Sequence, residues 1–213
     1  MATAIVVGDG PGGLSAALFL AKNEMDVVVL GQDKTPMHKA MLFNYLGIKD
    51  ITGSEFQRVA REQVTGFGAK IIAAEAIGGE QTDAGFVVTT GDGARHEARY
   101  LIIATGSKVK LVDDLGPEMD GDEMKADRDG RTSVPGLYAV GWSARRDKIQ
   151  AIIAAGEGAA AALDILSAEA GKDVGEFRWQ QITSVHRNHL AQLHGGPSEV
   201  REPIGKPPGI CWR

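Results

Sequence analysis

Apolar runs broken by polar turns open this chain as strand, helix and strand. Ala4-Ile5-Val6-Val7 is a short run rich in β-branched residues, the pattern of a strand buried on both faces. It leads without a spacer into Gly8-Asp9-Gly10-Pro11-Gly12-Gly13, and Leu14 to Ala21 then reads as a small-residue helix. Lys22-Asn23-Glu24 ends that helix, and Val27-Val28-Val29-Leu30 is a second buried strand. This order begins a parallel sheet. Residues 35–46 are loop-like. Thr52-Gly53-Ser54-Glu55 then offers a capping box, and Phe56, Val59, Ala60, Val64 and Phe67 recur at helical spacing. They predict an amphipathic helix over 54–67, stopped by Gly68.

The second half alternates more quickly. Residues 69–76 read as a third strand. Phe86-Val87-Val88-Thr89-Thr90, the turn Gly91-Asp92-Gly93 and residues 95–99 predict a hairpin or small antiparallel layer. Tyr100-Leu101-Ile102-Ile103-Ala104 is a separate buried strand ending in Thr105-Gly106. Residues 113–129 are acidic and turn-rich, a solvated surface with a short edge strand near Glu123-Met124-Lys125. Leu137-Tyr138-Ala139-Val140 is a further buried strand, left through Gly141-Trp142. A helix over about 149–170 follows, stopped by Gly171. Its Ala- and Gly-rich centre suits close approach to a sheet or ligand, at some cost in helix propensity. Residues 177–193 form an amphipathic helical pattern through Ile182, Val185, Leu190 and Leu193, and 195–213, with four prolines, read as an extended arm.

The expected fold is therefore α/β and Rossmann-like: a central parallel sheet, a small antiparallel β layer and a C-terminal helical extension. The expected division is a single binding domain over 1–171, with the helix and arm in 172–213. Apolar content of 43% supports a sizeable core, and a net charge of −5 offers no case for nucleic acid or an anionic membrane. No uninterrupted run of about 18 apolar residues predicts a membrane span. The N-terminus opens on a core strand rather than a signal peptide, so a cytoplasmic protein is expected. One cysteine, Cys211, leaves no intrachain disulfide and no Cys-x-x-Cys pair in these 213 residues.

Gly8, Gly10 and Gly13 have the G-x-G-x-x-G spacing of a dinucleotide-binding turn. Gly8 permits the tight turn, Gly10 admits a pyrophosphate close to backbone, and Gly13 lets helix pack on strand. The phosphates would rest on free N–H groups at the positive end of the helix. The second strand runs into Gly31-Gln32-Asp33. Gln32 and Asp33 stand near the position where such folds place a ribose-binding acid. Asp33 lies two residues past the strand, so a solvated loop aspartate competes with the ribose contact.

Three further stretches make the pattern specific. They are Leu101-Ile102-Ile103-Ala104-Thr105-Gly106, Gly130-Arg131-Thr132-Ser133-Val134-Pro135-Gly136-Leu137-Tyr138-Ala139-Val140-Gly141, and Ile152-Ile153-Ala154-Ala155-Gly156-Glu157-Gly158. With the glycine turn they resemble the FAD domain of low-molecular-weight thioredoxin reductases, in the pyridine nucleotide–disulfide oxidoreductase superfamily. Asn44-Tyr45-Leu46-Gly47 resembles that family's Asn-aromatic-Pro-Gly turn beside the flavin. The resemblance spans residues 3–170. It implies FAD lying extended, with its pyrophosphate over Gly8, Gly10, Pro11, Gly12 and Gly13. It places Thr105 and Gly106 near the adenosine side, Gly141 and Trp142 near the ribityl chain, and Gln150 and Ala151 at a helix start facing the flavin pyrimidine. Lys39, Asn44 and Gln150 are the candidates for tuning or orienting the flavin. No side chain stands out as a general acid or base.

The chain departs from the family in three ways. Only about two dozen residues separate Thr105-Gly106 from Gly130-Arg131-Thr132, where the family inserts its NAD(P)H domain. The Cys-x-x-Cys pair is missing, so no dithiol relay exists within these residues and they are not a thioredoxin reductase by themselves. Trp142 stands where the family's Gly-Asp pair puts a carboxylate on a ribityl hydroxyl. One lost charged hydrogen bond costs about 1.5–3 kcal/mol, which Ser143 or a backbone group could replace.

Other features have plainer readings. His186, His189 and His194 lack a clear third ligand of fixed geometry and read as a polar face rather than a metal site. Cys211 reads as a free thiol, and Arg145-Arg146-Asp147-Lys148 as a solvated loop, with guidance of an anionic partner as the alternative. The apolar side of 177–193 suggests homodimer contacts. Two functions follow. One is a single-domain FAD oxidoreductase or electron carrier fed by an external donor, NAD(P)H or a separate redox protein. The other is a non-catalytic protein holding FAD, NAD or ADP for structure or sensing.

Overall fold

The first apolar run is strand β1 (Ala2–Val7), followed by α1 (Pro11–Lys22) and β2 (Val27–Leu30). In the computed structural model, residues 1–106 and 110–174 are described. A 3-10 turn at Pro36–Lys39 precedes the two-residue strands β3 (Met41–Leu42) and β4 (Ile51–Thr52), so the predicted loop over 35–46 carries short ordered elements. Helix α2 (Gly53–Gly66) starts where the capping pattern places it, with the Thr52 hydroxyl accepting the Glu55 N–H at 3.2 Å. The reciprocal half of the box is replaced, because Glu55 pairs with Arg58 instead.

Strands β5 (Lys70–Ile72), β6 (Ala76–Thr82), β7 (Gly85–Thr90) and β8 (Arg95–Ile103) come next. They are followed by α3 (Lys110–Leu115), β9 (Met119–Asp120), β10 (Glu123–Met124), β11 (Leu137–Ala139) and α4 (Ala151–Ala170). The edge strand expected near Glu123 is β10. Two expectations need correction. The third strand over 69–76 is split between β5 and β6. Residues 95–99 and 100–104 are not two strands but the single β8, because one nine-residue strand pairs antiparallel in its first half and parallel in its second.

β8 is the hinge of the topology. Its first half pairs antiparallel with β7, from Phe86 opposite Ala98 to Thr89 opposite Arg95. Its second half runs parallel to β1 on one side and to β11 on the other. The seven-stranded order is β5-β2-β1-β8-β7-β6, with β11 also on β8. The parallel sheet and the antiparallel layer are thus one continuous sheet.

Both faces of the parallel part of the sheet are buried, as the uninterrupted apolar runs predict, while β6 and the start of β8 are largely exposed. Ala4, Val6, Val27, Val29 and Ile102 face α1 and α4, while Ile5, Val7, Leu101 and Ile103 face a second cluster containing Leu111, Val112 and Leu115 of α3. Helix α3 was not foreseen. It is only six residues long, and Asp113 and Asp114 break its apolar signal. Residues 175–213 lie outside the described residues, and with them the expected helix over 177–193, the arm, His186, His189, His194 and Cys211.

Helices α1 and α4 meet almost backbone to backbone. A Cβ on Gly158 would fall 2.0 Å from the Gly12 carbonyl oxygen and 3.0 Å from the Ala16 nitrogen. The alanine-rich centre of α4 therefore serves helix packing inside the domain. By length and mean hydropathy (1.5) the same helix is long and apolar enough to cross a membrane, although Glu157, Asp164 and Glu169 leave it without an uninterrupted apolar run. Farther along α4, Asp164 accepts the Tyr138 hydroxyl at 2.7 Å and pairs with Arg131, while Glu169 accepts the Tyr100 hydroxyl at 2.8 Å and pairs with Arg99. Tyr100 and Tyr138 stack edge to face, 6.4 Å between centroids. Burial raises the Tyr138 hydroxyl well above its usual range. For Asp164 burial pulls the same way, but the hydrogen bonds from Arg131 and Tyr138 outweigh it and hold the carboxyl below its usual range.

Two outcomes follow from this packing. Gly156→Ala, whose Cβ would meet nothing within 4 Å, should stabilise the domain by up to about 1 kcal/mol through helix propensity. Gly158→Ala should lose more than that gain, because the backbone of Gly12 has nowhere to go. Urea denaturation of both variants checks the opposite signs. The depressed Asp164 contributes stability that is complete above its unfolded-state pKa of about 4 and is lost as pH falls through its lower folded value. Asp164→Asn should melt lower than the parent at pH 7, and the gap should narrow below about pH 4 in melting curves taken across that range.

Candidate nucleotide-binding site

Val7, Leu30, Ile103 and Ala139 are aligned across the sheet by the register Val7–Leu30, Val7–Ile103 and Ala139–Ile103. The chain therefore leaves four parallel strands along one edge, and residues 8–13, 31–33, 104–106 and 140–142 line it. The carboxyl ends of parallel strands are where such sheets bind ligands. Every residue expected at the site, apart from Lys39, Asn44, Gln150 and Ala151, lies on one of these four exits.

At the first exit Gly8 turns with φ +105, and a Cβ there would stand 2.4 Å from the Ala104 carbonyl oxygen. Gly10 differs. It caps α1 with no side-chain bond, and a Cβ on it would meet only the Thr35 hydroxyl at 3.6 Å. The protein's own packing does not demand glycine at this position, which leaves open backbone at the mouth of the helix. Pro11 opens α1 and has no N–H to satisfy. The amides of Gly12 and Gly13 precede the first intrahelical bond, from the Leu14 N–H to the Gly10 oxygen at 2.9 Å. No acid occupies the first turn. An open backbone and a positive helix end fit a pyrophosphate.

The second exit holds Gln32, exposed, and Asp33, at φ +56. One oxygen of the exposed Asp33 carboxylate, Oδ1, lies 3.0 Å from His38 Nε2. The acid that fills this corner comes from the turn instead. Asp9 is 5% exposed, pairs with Arg61 of α2 and accepts the Asp33 N–H at 3.0 Å. Its side chain lies over Gly31, where a Cβ would be 2.3 Å from the Asp9 Cγ. Gln57, fully buried on α2, donates to the Asp9 carbonyl oxygen.

The third and fourth exits are tied together. The Gly106 N–H donates to the buried Ser143 hydroxyl at 3.1 Å, after Thr105 at the end of β8. Trp142, 45% exposed, lies against Gly106, with its Cε3 3.4 Å from where a Cβ would stand. The Gly141 N–H donates to Glu157 at 2.8 Å, and Glu157 is held in turn by Arg145 at 2.7 Å. Ser143 is thus a strut between loops.

Gln150 caps α4 without a side-chain bond to the helix, Ala151 begins it, and no acid occupies its first turn. Asn44, distant in sequence, donates to Gln150 Oε1 at 3.2 Å. The structure brings these two predicted residues together. Tyr45 beside them packs on Phe56 at 5.3 Å, and burial raises its hydroxyl pKa. Lys39 is exposed, with no ion pair among the described residues. In the basic loop, Arg145 pairs with Glu157 and Arg146 with Asp122. No group of three His, Cys, Asp or Glu among the described residues could hold a metal.

Asp9, Gln57, Arg61 and Glu157 were missed as site residues. Asp9 stood in plain view as a variable position of the glycine motif. Arg61 and Gln57 sit on the polar side of the α2 pattern, which hid that they turn inward. Comparison with known proteins bears on the family and the fold. The family model for pyridine nucleotide-disulphide oxidoreductases matches residues 2–113 and 47–159. The chain belongs to that family.

Within it, this domain is similar to the thioredoxin reductase of Helicobacter pylori, 31% identical over 112 residues, which is 49% of this chain and 35% of that protein. It is also similar to that of Streptomyces clavuligerus, 30% identical over 109 residues, 49% of this chain and 34% of that protein. The chain spans about a third of the length of these curated relatives. Among solved structures it resembles a thioredoxin reductase from Gloeobacter violaceus, with a TM-score of 0.74 and 18% identity over 84% of this chain and 98% of that one. It also resembles an atypical thioredoxin reductase from Desulfovibrio vulgaris Hildenborough, with a TM-score of 0.73 and 20% identity over 80% of this chain and 99% of that one. At these identities the structural likeness is one of fold: the Rossmann-like domain of this oxidoreductase family.

Proposed function

We propose that this domain binds FAD and serves as the flavin module of an oxidoreductase or as an electron carrier, fed by NAD(P)H or a separate redox protein. The observation that supports this best is the pairing of two uncapped helix starts, α1 and α4, on one sheet edge, with Asn44 and Gln150 joined at the second. A dinucleotide with a ring system at each end needs such an extended edge. Bound FAD would supply hydride and single-electron chemistry.

The chain's own residues do the rest. Gly10, Gly12 and Gly13 offer backbone to the pyrophosphate, with Gly8 and Pro11 shaping the turn. Thr105 and Gly106 border the adenosine half, and Gly141 and Trp142 the ribityl chain. The amides at Ala151 favour negative charge placed before α4. The Asn44 amide fixes the Gln150 carbonyl, so the Gln150 N–H groups remain to orient a ring edge. A homodimer and a cytoplasmic setting, where a lone cysteine stays reduced, belong to the same reading. Trp142, in place of a ribityl-binding carboxylate, favours a second reading: a non-catalytic domain that holds FAD, NAD or ADP for structure or sensing.

A visible spectrum of the purified protein, with identification of any nucleotide released on denaturation, tests the first reading. A yellow protein releasing FAD is expected, and anaerobic NADH or NADPH then shows whether the donor is a free nicotinamide. A colourless protein that takes up no added FAD would sink it. Trp142→Asp should tighten FAD binding about tenfold or more, the scale of one charged hydrogen bond, as measured by fluorescence quenching of the flavin.

A further inference from the structure

The carboxylate of Asp9 has no place in a general phosphate-binding turn. It is buried, and it belongs to the same turn as the two helix N–H groups that would meet a pyrophosphate, so a bare negative charge there would oppose the ligand. Its setting removes that conflict. Arg61 of α2 neutralises it, and Oδ2 takes both the Arg61 guanidinium and the Asp33 N–H. The other oxygen, Oδ1, receives no hydrogen bond among the described residues, nor is it one of the fully buried atoms without a partner; only Gln57 Oε1 is. So a nearly buried carboxylate keeps one open acceptor face at the end of β2, above Gly31. At the same corner Asp33 gives Oδ1 to His38, and its side chain stands 45% exposed, so its remaining oxygen is left to solvent where that of Asp9 is held in a fixed, nearly buried place.

We propose that Asp9, not Asp33, is the carboxylate that accepts the adenosine ribose hydroxyl of the bound dinucleotide, with Arg61 as the charge that lets it stand beside the pyrophosphate. The proposal rests on the dinucleotide reading of the cleft. It moves the ribose contact from β2 to the phosphate turn, so turn and ribose acceptor are one rigid piece. Arg61 also sets a selection rule. With its charge spent on Asp9, the corner takes a hydroxyl and rejects a ribose carrying a phosphate.

Calorimetry on the full chain, freed of nucleotide, tests this with ADP, 2′-deoxy-ADP, 3′-deoxy-ADP and 2′-phospho-ADP-ribose beside ADP-ribose. Removal of one ribose hydroxyl should weaken binding by about tenfold or more in the parent. In Asp9→Asn the same removal should cost less than threefold, and in Asp33→Asn the parent's penalty should persist. The 2′-phosphate should weaken binding in the parent, and Asp9→Asn should narrow that loss. No penalty for either deoxy-nucleotide in the parent overturns the proposal without any variant, so a variant that does not fold leaves it testable. A penalty that disappears in Asp33→Asn and survives in Asp9→Asn overturns it as well. If neither ADP nor FAD binds at all, the dinucleotide reading of the cleft fails too; if both bind and no deoxy penalty is seen, only the role of Asp9 fails.

Discussion

The contact between Gly158 and the Gly12 carbonyl fixes the architecture of this domain. Two helices that start at the same edge of a sheet ordinarily stand 8–10 Å apart. Here a Cβ on Gly158 would stand 2.0 Å from the Gly12 carbonyl oxygen, a position only glycine tolerates. The first turn of α1 is thereby pressed against α4, and α4 is itself anchored at Asp164 and Glu169 to the tyrosines of β11 and β8. The cradle at Gly8–Gly13 is consequently held by parts of the chain about 150 residues away. Intrinsic helix propensity was given up at Gly158 for this, and the anchors farther down the helix offset it.

The parts of the fold that were legible in the sequence are those where the backbone itself limits the choice of residue. The glycine turn, the two capped or glycine-stopped helices and the apolar runs of β1, β2 and β11 all carry such constraints, and each formed where its pattern stands. The misreadings share a cause. β8 changes partners from β7 to β11 at residues 99–101, and nothing in the local pattern marks a change that happens on the neighbours' side. α3 is short, acidic on one side and stabilised by Leu111, Val112 and Leu115 against a sheet face, a tertiary reason rather than a local one.

The site was legible to the same degree. Asn44 and Gln150 could be named separately, yet their hydrogen bond spans 106 residues and is a product of the fold. Asp9 was visible but mute. A variable position in a glycine motif tells nothing of its charge until a partner is known, and Arg61 lies 52 residues on, in a helix whose periodicity assigns it to solvent. Pairings of this kind, polar to polar across distant elements, have no period to betray them.

Charge along the cleft completes the argument. The protein is acidic, at −5, and would by itself discourage an anionic ligand. Yet three carboxylates at the edge have partners: Asp9 pairs with Arg61 through Oδ2, Asp33 with His38 through Oδ1, and Glu157 with Arg145 and the Gly141 N–H. None sits in the first turn of α1 or α4. Asp9 and Glu157 are neutralised by arginines while the two helix ends keep their positive character, so the local field opposes the net charge of the chain. The proposed dinucleotide, anionic at its centre and neutral at both ring systems, matches that distribution of charge.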